Sequence, residues 1–455
     1  MLLFLFTALL LLLPMGPGRF WGTDGDWYSQ HTAAADSLRR TMLEQKTLLP
    51  QYISLGGGSS IYDFSYYGLL RPDVVFSCLI PQVDMKYIVA GYLFLCMTAR
   101  VWLCYCWLKR CGLTPRFSFW GALLFLTSAA FYQAHHQIMF VNYMPFLLLA
   151  LLGVERVLET RKWGMLCVSL FFIYLHSFYY SAACLFVVGV YALHRMYAKK
   201  EFVFGRLFLA VFLSVGMAMV LLLPTGLDIL STSKDGGSFA AERVSAVSMD
   251  LEGLLYSPYG CGMTLLVLYC LLLSLKRKGS RFLSAVLLAV LCCPVIWLVL
   301  NGFLYARAKI LIPCVPLLVL VASETLEAVA LGRQRLKLWP VLVCLVPVFR
   351  GELKVLAALD AVCLGLWVTT GIFRGGSCRK RAWYLAALFV PLLVSFGVHA
   401  GAPYLERGDC RQEPVDREQV AAFAGNKNYR FENIANNFVT SNCLPAGDVN
   451  RASMY

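Results

Sequence analysis

The densest group of reactive side chains lies near the start of the chain, in Trp21-Gly-Thr-Asp24-Gly-Asp26-Trp27-Tyr-Ser-Gln30-His31. A carboxylate placed there can take the proton from an attacking hydroxyl or hold a metal ion. The bracketing tryptophans suit a lipid–water boundary, where an enzyme meets a lipid-borne substrate. The same residues could equally form an Asx-turn or a helix cap, so type and spacing leave both roles open. A second cluster, Gln133, His135, His136, Gln137 and Asn142, occupies a short turn without a charge. Its histidines could donate to a phosphate or shuttle a proton. An adjacent His pair with no third ligand does not make a zinc site. The third cluster, Asn301-Gly-Phe-Leu-Tyr305-Ala-Arg307-Ala-Lys309, carries two cations suited to the phosphate of a lipid carrier or to headgroup anchoring.

Weaker candidates surround these. His176, Tyr179, Tyr180 and Ser181 add hydroxyls and a ring nitrogen, although an aromatic belt explains the tyrosines without a site. Arg100 and Asp360 are the charges deepest within apolar runs, where ionisable groups are functional candidates by default. Their unequal depths argue against a direct pair, and Arg100 can snorkel. Gly56-Gly-Gly58 reads as a flexible joint, since no strand-to-helix context supports a phosphate loop.

The elements that must carry these residues are membrane helices. Of 455 residues, 59% are hydrophobic and only 15% charged, and the mean hydropathy is +0.66. That excludes an ordinary soluble protein. The net charge of +14 could signal nucleic acid. Its cations, however, concentrate in short loops that must share one side, among them Lys109, Arg110, Arg116, Lys276, Arg277, Lys278, Arg379, Lys380 and Arg381. A positive-inside bias therefore explains the charge, and no nucleic-acid partner is needed.

The apolar runs predict an all-α polytopic protein. Spans are expected at 1–15, 83–108, 117–134, 140–158, 163–178, 179–194, 204–225, 261–275, 281–300, 309–326, 336–349, 354–373 and 382–400. Such a chain crosses about 13 times, with a large first outer loop over 16–82 and its C-terminus outside. The run 163–194 is too long for one crossing and is expected to turn near His176–Ser181. Within the first loop, Thr32–Lys46 has the spacing of an amphipathic helix, lying either on the bilayer or on the protein, with Arg39 and Arg40 facing away from its apolar side. The division expected is a membrane module over 1–400 and a polar outer tail over 401–455. Cys410 and Cys443 of that tail could form a disulfide on the outer side.

The motifs Thr-Asp24-Gly-Asp26-Trp with Gln30-His31, Leu-Gly-Gly-Gly-Ser-Ser-Ile-Tyr-Asp63-Phe-Ser-Tyr-Tyr-Gly68, His136-Gln-Ile-Met-Phe-Val-Asn142-Tyr-Met-Pro145-Phe and Asn301-Gly-Phe-Leu-Tyr305 occur in that order. Together they resemble the bacterial YfhO family, which is similar to the GT-C superfamily of multi-span glycosyltransferases. The resemblance implies transfer of a sugar from a polyprenyl-phosphate carrier to a cell-envelope glycopolymer, such as lipoteichoic acid, on the outer face of the bacterial plasma membrane. It places Asp24 or Asp26 as catalytic base or, where a divalent metal ion is used, as its ligand. Gln30, His31, His135, His136, Asn142, Asn301, Tyr305, Arg307 and Lys309 are the expected substrate-binding residues. The phosphate role stays open between Arg307 and Lys309. Relatives continue into a large outer domain, so the tail reads as the start of one. A flippase for the lipid-linked sugar is the competing expectation, and it would want charges lining several spans.

Overall fold

An apolar run whose one polar side chain, Thr7, returns its hydroxyl to the Leu3 carbonyl at 2.7 Å winds into the first helix, α1 (Leu2–Leu12). This internal satisfaction is what a lipid environment demands of every polar group. The computed structural model describes residues 2–23, 26–53, 59–128, 134–232, 259–302, 307–346, 354–373 and 404–406. Asp24, Gly56–Gly58, Gln133, Tyr305, the expected span 382–400, Cys410 and Cys443 lie outside the described residues.

After α1 the chain forms a short strand, β1 (Arg19–Phe20), then a widened π-helical turn, Trp27–Thr32, that runs directly into α2 (Ala33–Glu44). Helix α2 buries Ala35, Leu38 and Met42 against the protein. Contrary to the expected solvent-facing side, Arg39 is buried as well. Its guanidinium donates to the Val83 carbonyl at 2.7 Å and to Asp36 at 2.6 Å, which offsets its desolvation. The hairpin β2 (Tyr52–Ile53) and β3 (Ser59–Ser60) leads into a 3₁₀ turn, Ile61–Tyr67, and the short helix α3 (Pro72–Ser77).

The membrane body follows as α4 (Met85–Arg110), α5 (Pro115–Leu126), α6 (Met144–Thr160), α7 (Gly164–His176), α8 (Phe178–Lys199), α9 (Phe204–Thr232), α10 (Leu265–Ser274), α11 (Arg281–Cys292), α12 (Pro294–Leu300), α13 (Val315–Ala330), α14 (Trp339–Cys344) and α15 (Lys354–Phe373). Among the described residues, five helical stretches are long and apolar enough to cross a bilayer: Met85–Arg110, Ile138–Thr160, Phe178–Lys199, Phe204–Leu230 and Ala308–Ala330. Helix α9 leaves Phe208, Phe212, Leu223 and Leu227 exposed. An apolar face of that extent suits lipid and not water.

Two breaks have readable causes. The run 163–194 divides at Ser177, whose extended backbone (φ −162, ψ 102) stops α7, and whose hydroxyl caps α8 by accepting from the Tyr180 amide at 3.3 Å. The expected single span 281–300 is instead two helices bent by 90° at Cys293. Cys293 precedes Pro294, and a residue before proline is driven out of the helical region.

The two deep charges are used by the fold. Asp360 on α15 accepts from the Leu265 amide at 2.8 Å, satisfying the otherwise open start of α10. Arg100 is fully buried and does not snorkel; its guanidinium lies over the Phe125 ring at 5.7 Å. At the other end of the bundle, Glu155 is buried and accepts from Arg195 (2.5 and 2.9 Å), Lys199 (2.7 Å) and Tyr191 (2.6 Å), tying α6 to α8. Finally β4 (Leu405–Glu406) pairs antiparallel with β1, Phe20 opposite Leu405 and Arg19 opposite Glu406.

Candidate functional site

Asp26 stands at the mouth of the π-helical turn, and that turn brings Gln30 back towards it. The Gln30 amide nitrogen donates to Asp26 Oδ1 at 2.9 Å. A second amide arrives from a distant segment, for Gln137 Nε2 donates to Asp26 Oδ2. Each amide is itself oriented by a ring. Gln30 Oε1 accepts from the Tyr67 hydroxyl at 3.0 Å. Gln137 Oε1 faces His31 Nε2 at 2.8 Å, and since that oxygen can only accept, His31 Nε2 carries the hydrogen. The carboxylate is thus gripped on both oxygens while each keeps a further lone pair for a substrate hydroxyl.

His31 is 2% exposed and its burial lowers its pKa to about 4, with Gln137 and Asp26 opposing the shift and Arg71 assisting it. It is a neutral ring at neutral pH, and its Nδ1 is buried without a hydrogen-bond partner. His136 is also held below its ordinary value by burial, against the nearby Asp26 charge. The Tyr259 hydroxyl is shifted upward by burial and then by the Asp26 charge.

The 3₁₀ turn Ile61–Tyr67 supplies the opposite wall. Ser60 caps it by accepting from the Tyr62 amide at 3.2 Å. Gly68 ends it in the left-handed region (φ +86), where a Cβ would come within 3.0 Å of the Arg71 side chain. Arg71 and Asp73, each side chain 1% exposed, form a two-pronged ion pair at 2.5 and 2.7 Å. A third donor of Arg71 holds the Tyr67 carbonyl at 3.2 Å, so the pair fixes the residue that orients Gln30. Ser65 meets Thr225 of α9 at 2.7 Å, and the exposed Asp63 carboxyl is pushed up to about 6 by partial desolvation and by its hydrogen bond and like charge with Asp228.

Of the two expected cations, Lys309 faces this wall and Arg307 is exposed. The Lys309 ammonium lies 5.1 Å from the Tyr179 ring centre, 5.9 Å from that of Phe140, and 3.4 Å from the Tyr66 hydroxyl. Tyr66 and Tyr67 meet edge to face at 5.5 Å, and Phe140 touches Tyr259 at 5.7 Å. A chain of contacts through Tyr66, Tyr67 and Gln30 therefore joins Lys309 to Asp26.

The remaining expected residues are placed as follows. His135 is buried, stacked on Tyr404 at 3.9 Å and edge-on to Trp21 at 5.8 Å, with His136 alongside at 4.3 Å. Asn142 is fully buried, and neither atom of its amide has a hydrogen-bond partner. Asn301 is buried at the end of α12, its backbone amide donating to the Trp297 carbonyl at 3.1 Å. His176 is buried. Its Nδ1 donates to the Phe172 carbonyl at 2.6 Å, so Nε2 accepts from the Tyr92 hydroxyl at 2.5 Å. Tyr66, Tyr67, Arg71 and Asp73 are the site positions that residue type alone did not single out. The first two sit in the Asp63–Gly68 motif, while Arg71 and Asp73 carried no signal.

Among the described residues, no three His, Cys, Asp or Glu side chains converge on a metal-sized site. Each Asp26 oxygen accepts one amide donor. The described chemistry is that of a hydrogen-bonded carboxylate facing an aromatic-walled ammonium.

A family model described as bacterial membrane protein YfhO matches residues 1–250. The fold is similar to that in the crystal structure of ArnT from Cupriavidus metallidurans bound to undecaprenyl phosphate. The TM-score is 0.53 at 13% identity, over 99% of this chain and 84% of that one. At that identity the likeness shows the fold alone, an ArnT-like membrane architecture. No curated protein matches.

Proposed function

The chain belongs to the YfhO family of bacterial membrane proteins, and from that premise we propose that it transfers a sugar from a polyprenyl-phosphate carrier to a glycopolymer of the cell envelope, lipoteichoic acid being the leading class. The observation that carries this reading is Asp26, held by Gln30 and Gln137 and linked through Tyr67 and Tyr66 to Lys309. It has the two poles that such a transfer needs.

In this mechanism the acceptor hydroxyl gives its proton to Asp26 as its oxygen bonds to the anomeric carbon. The bond from that carbon to the phosphate oxygen breaks, and the polyprenyl phosphate leaves with its added charge met by the Lys309 ammonium. Aromatic rings around the part-buried ammonium lower the local polarity and strengthen that attraction. Gln30 and Gln137 keep the carboxylate aimed, and neutral His31 holds Gln137 without competing for the proton. Asn142, Asn301, His135, His136, Tyr305 and Arg307 complete substrate binding, and Asp24 is the second carboxylate of the loop. No step is routed through a metal ion.

The proposal includes the topology: about 13 crossings, a membrane module over 1–400, an outer tail over 401–455, and the site on the outer face. The ArnT structure, bound to undecaprenyl phosphate, supports a carrier of that chemistry. Purified protein in vesicles, given a labelled polyprenyl-phosphate sugar, is expected to pass label to an outer glycopolymer. Movement of the lipid to a protected leaflet without transfer would instead identify a flippase. Mass spectrometry of envelope polymers with and without the protein would name the sugar and acceptor.

A further inference from the structure

The described end of the chain returns to the site. Tyr404 is 7% exposed, and its ring lies almost parallel to His135, at 3.9 Å and 8°. Its other neighbour is Trp21, edge-on at 5.9 Å, which in turn meets His135 at 5.8 Å. The following residues, Leu405–Glu406, hydrogen-bond to Arg19–Phe20 as a two-stranded ribbon. One short segment therefore grips both pieces of chain that build the carboxylate site. The first piece carries Trp21 and Asp26; the second carries His135, His136 and Gln137. Gln137 sits two residues from the stacked imidazole and donates to Asp26.

Stacking of this kind adds attraction beyond area burial. Two-residue strands are too short to be stable alone, so the ring and the ribbon must support each other. We propose that Tyr404 and its strand act as a clamp that positions the His135–Gln137 turn against Asp26, making Tyr404 a positioning residue for the transfer reaction. This rests on the transferase reading above. The residue touches no reacting group; it acts through His135 and Gln137 on the carboxylate.

The full chain is assayed in vesicles with a labelled polyprenyl-phosphate sugar. Tyr404→Ala is expected to lower kcat about tenfold or more while the donor KM stays within about twofold, because aim is lost and the Lys309 wall is untouched. Tyr404→Phe, which keeps the ring, is expected to restore kcat. A folded Tyr404→Ala protein with wild-type kcat would overturn the clamp, as would a Tyr404→Phe protein as impaired as Tyr404→Ala. A second measurement does not depend on that variant folding. Phe20→Cys with Leu405→Cys, oxidised and mapped by peptide mass, is expected to form a disulfide and to keep its activity. No cross-link, or loss of activity on cross-linking, would reject the proposal. If the wild-type protein transfers no sugar, the transferase reading fails instead, while the cross-link still reports the docking.

Discussion

Asp26 owes its setting to side chains of very different legibility. Gln30 is four residues away, so its place beside the carboxylate follows from helical spacing. Gln137 is 111 residues away, and only the folded bundle could bring it there. The Arg71–Asp73 pair was silent in the sequence for another reason: an arginine before a proline-started helix looks like any solvated loop until its burial is known. Asn142 carries a cost that the fold alone does not recover, since a fully buried amide without partners is destabilising by about 1–3 kcal/mol. Asn142→Leu is therefore expected to raise resistance to unfolding in detergent while lowering sugar transfer. A loss of both would make the amide a structural element. His31 gives a pH signature. Its folded pKa, about 4, lies below the ordinary 6.5, so between those values the unfolded chain binds more protons. Stability from this residue is fully present above about pH 6.5 and is lost as pH falls to about 4, a contribution of roughly 3 kcal/mol. Denaturation in detergent across that window should show this slope, and His31→Gln should flatten it.

At the scale of elements, hydropathy located the long helices among the described residues but not how each one ends. The break at Ser177 was readable because one helix of that length overshoots a bilayer. The bend at Cys293–Pro294 was not, because an apolar run of the right length gives no sign of its direction in space. The helix Ala33–Glu44 has the expected periodicity, yet Arg39 is inside, since an Asp three residues earlier and a carbonyl at Val83 await it. Close approach sets the pairing of α6 with α7. A Cβ on Gly153 would meet the Leu166 backbone at 2.9 Å, where no flexible side chain can give way. Small residues at membrane helix interfaces serve this purpose. Gly153→Ala is expected to cost about 1–3 kcal/mol by overpacking, seen as a lower unfolding temperature in detergent. An unchanged temperature would mean that the two helices separate freely.

For the whole molecule, charge is the organising quantity. On the proposed topology the basic loops that raised the question of nucleic acid sort the chain by side, and the Asp26 loop and the Lys309 turn are expected opposite them. A cysteine introduced at Leu48 or in place of Arg307 should react with an impermeant thiol reagent from outside intact cells, and one replacing Lys278 only after lysis, with sites located by peptide mapping. The reverse pattern would place the carboxylate on the cytoplasmic face. Everything converges on one side chain. In vesicles supplied with a labelled polyprenyl-phosphate sugar and an envelope acceptor, Asp26→Asn keeps the size and shape of the residue but removes its basicity and turns one of its two accepting oxygens into a donor. Turnover is expected to fall by about 10²–10⁴-fold at unchanged protein level and unfolding temperature. An Asp26→Asn protein that transfers sugar at the wild-type rate would contradict the central role assigned to this carboxylate.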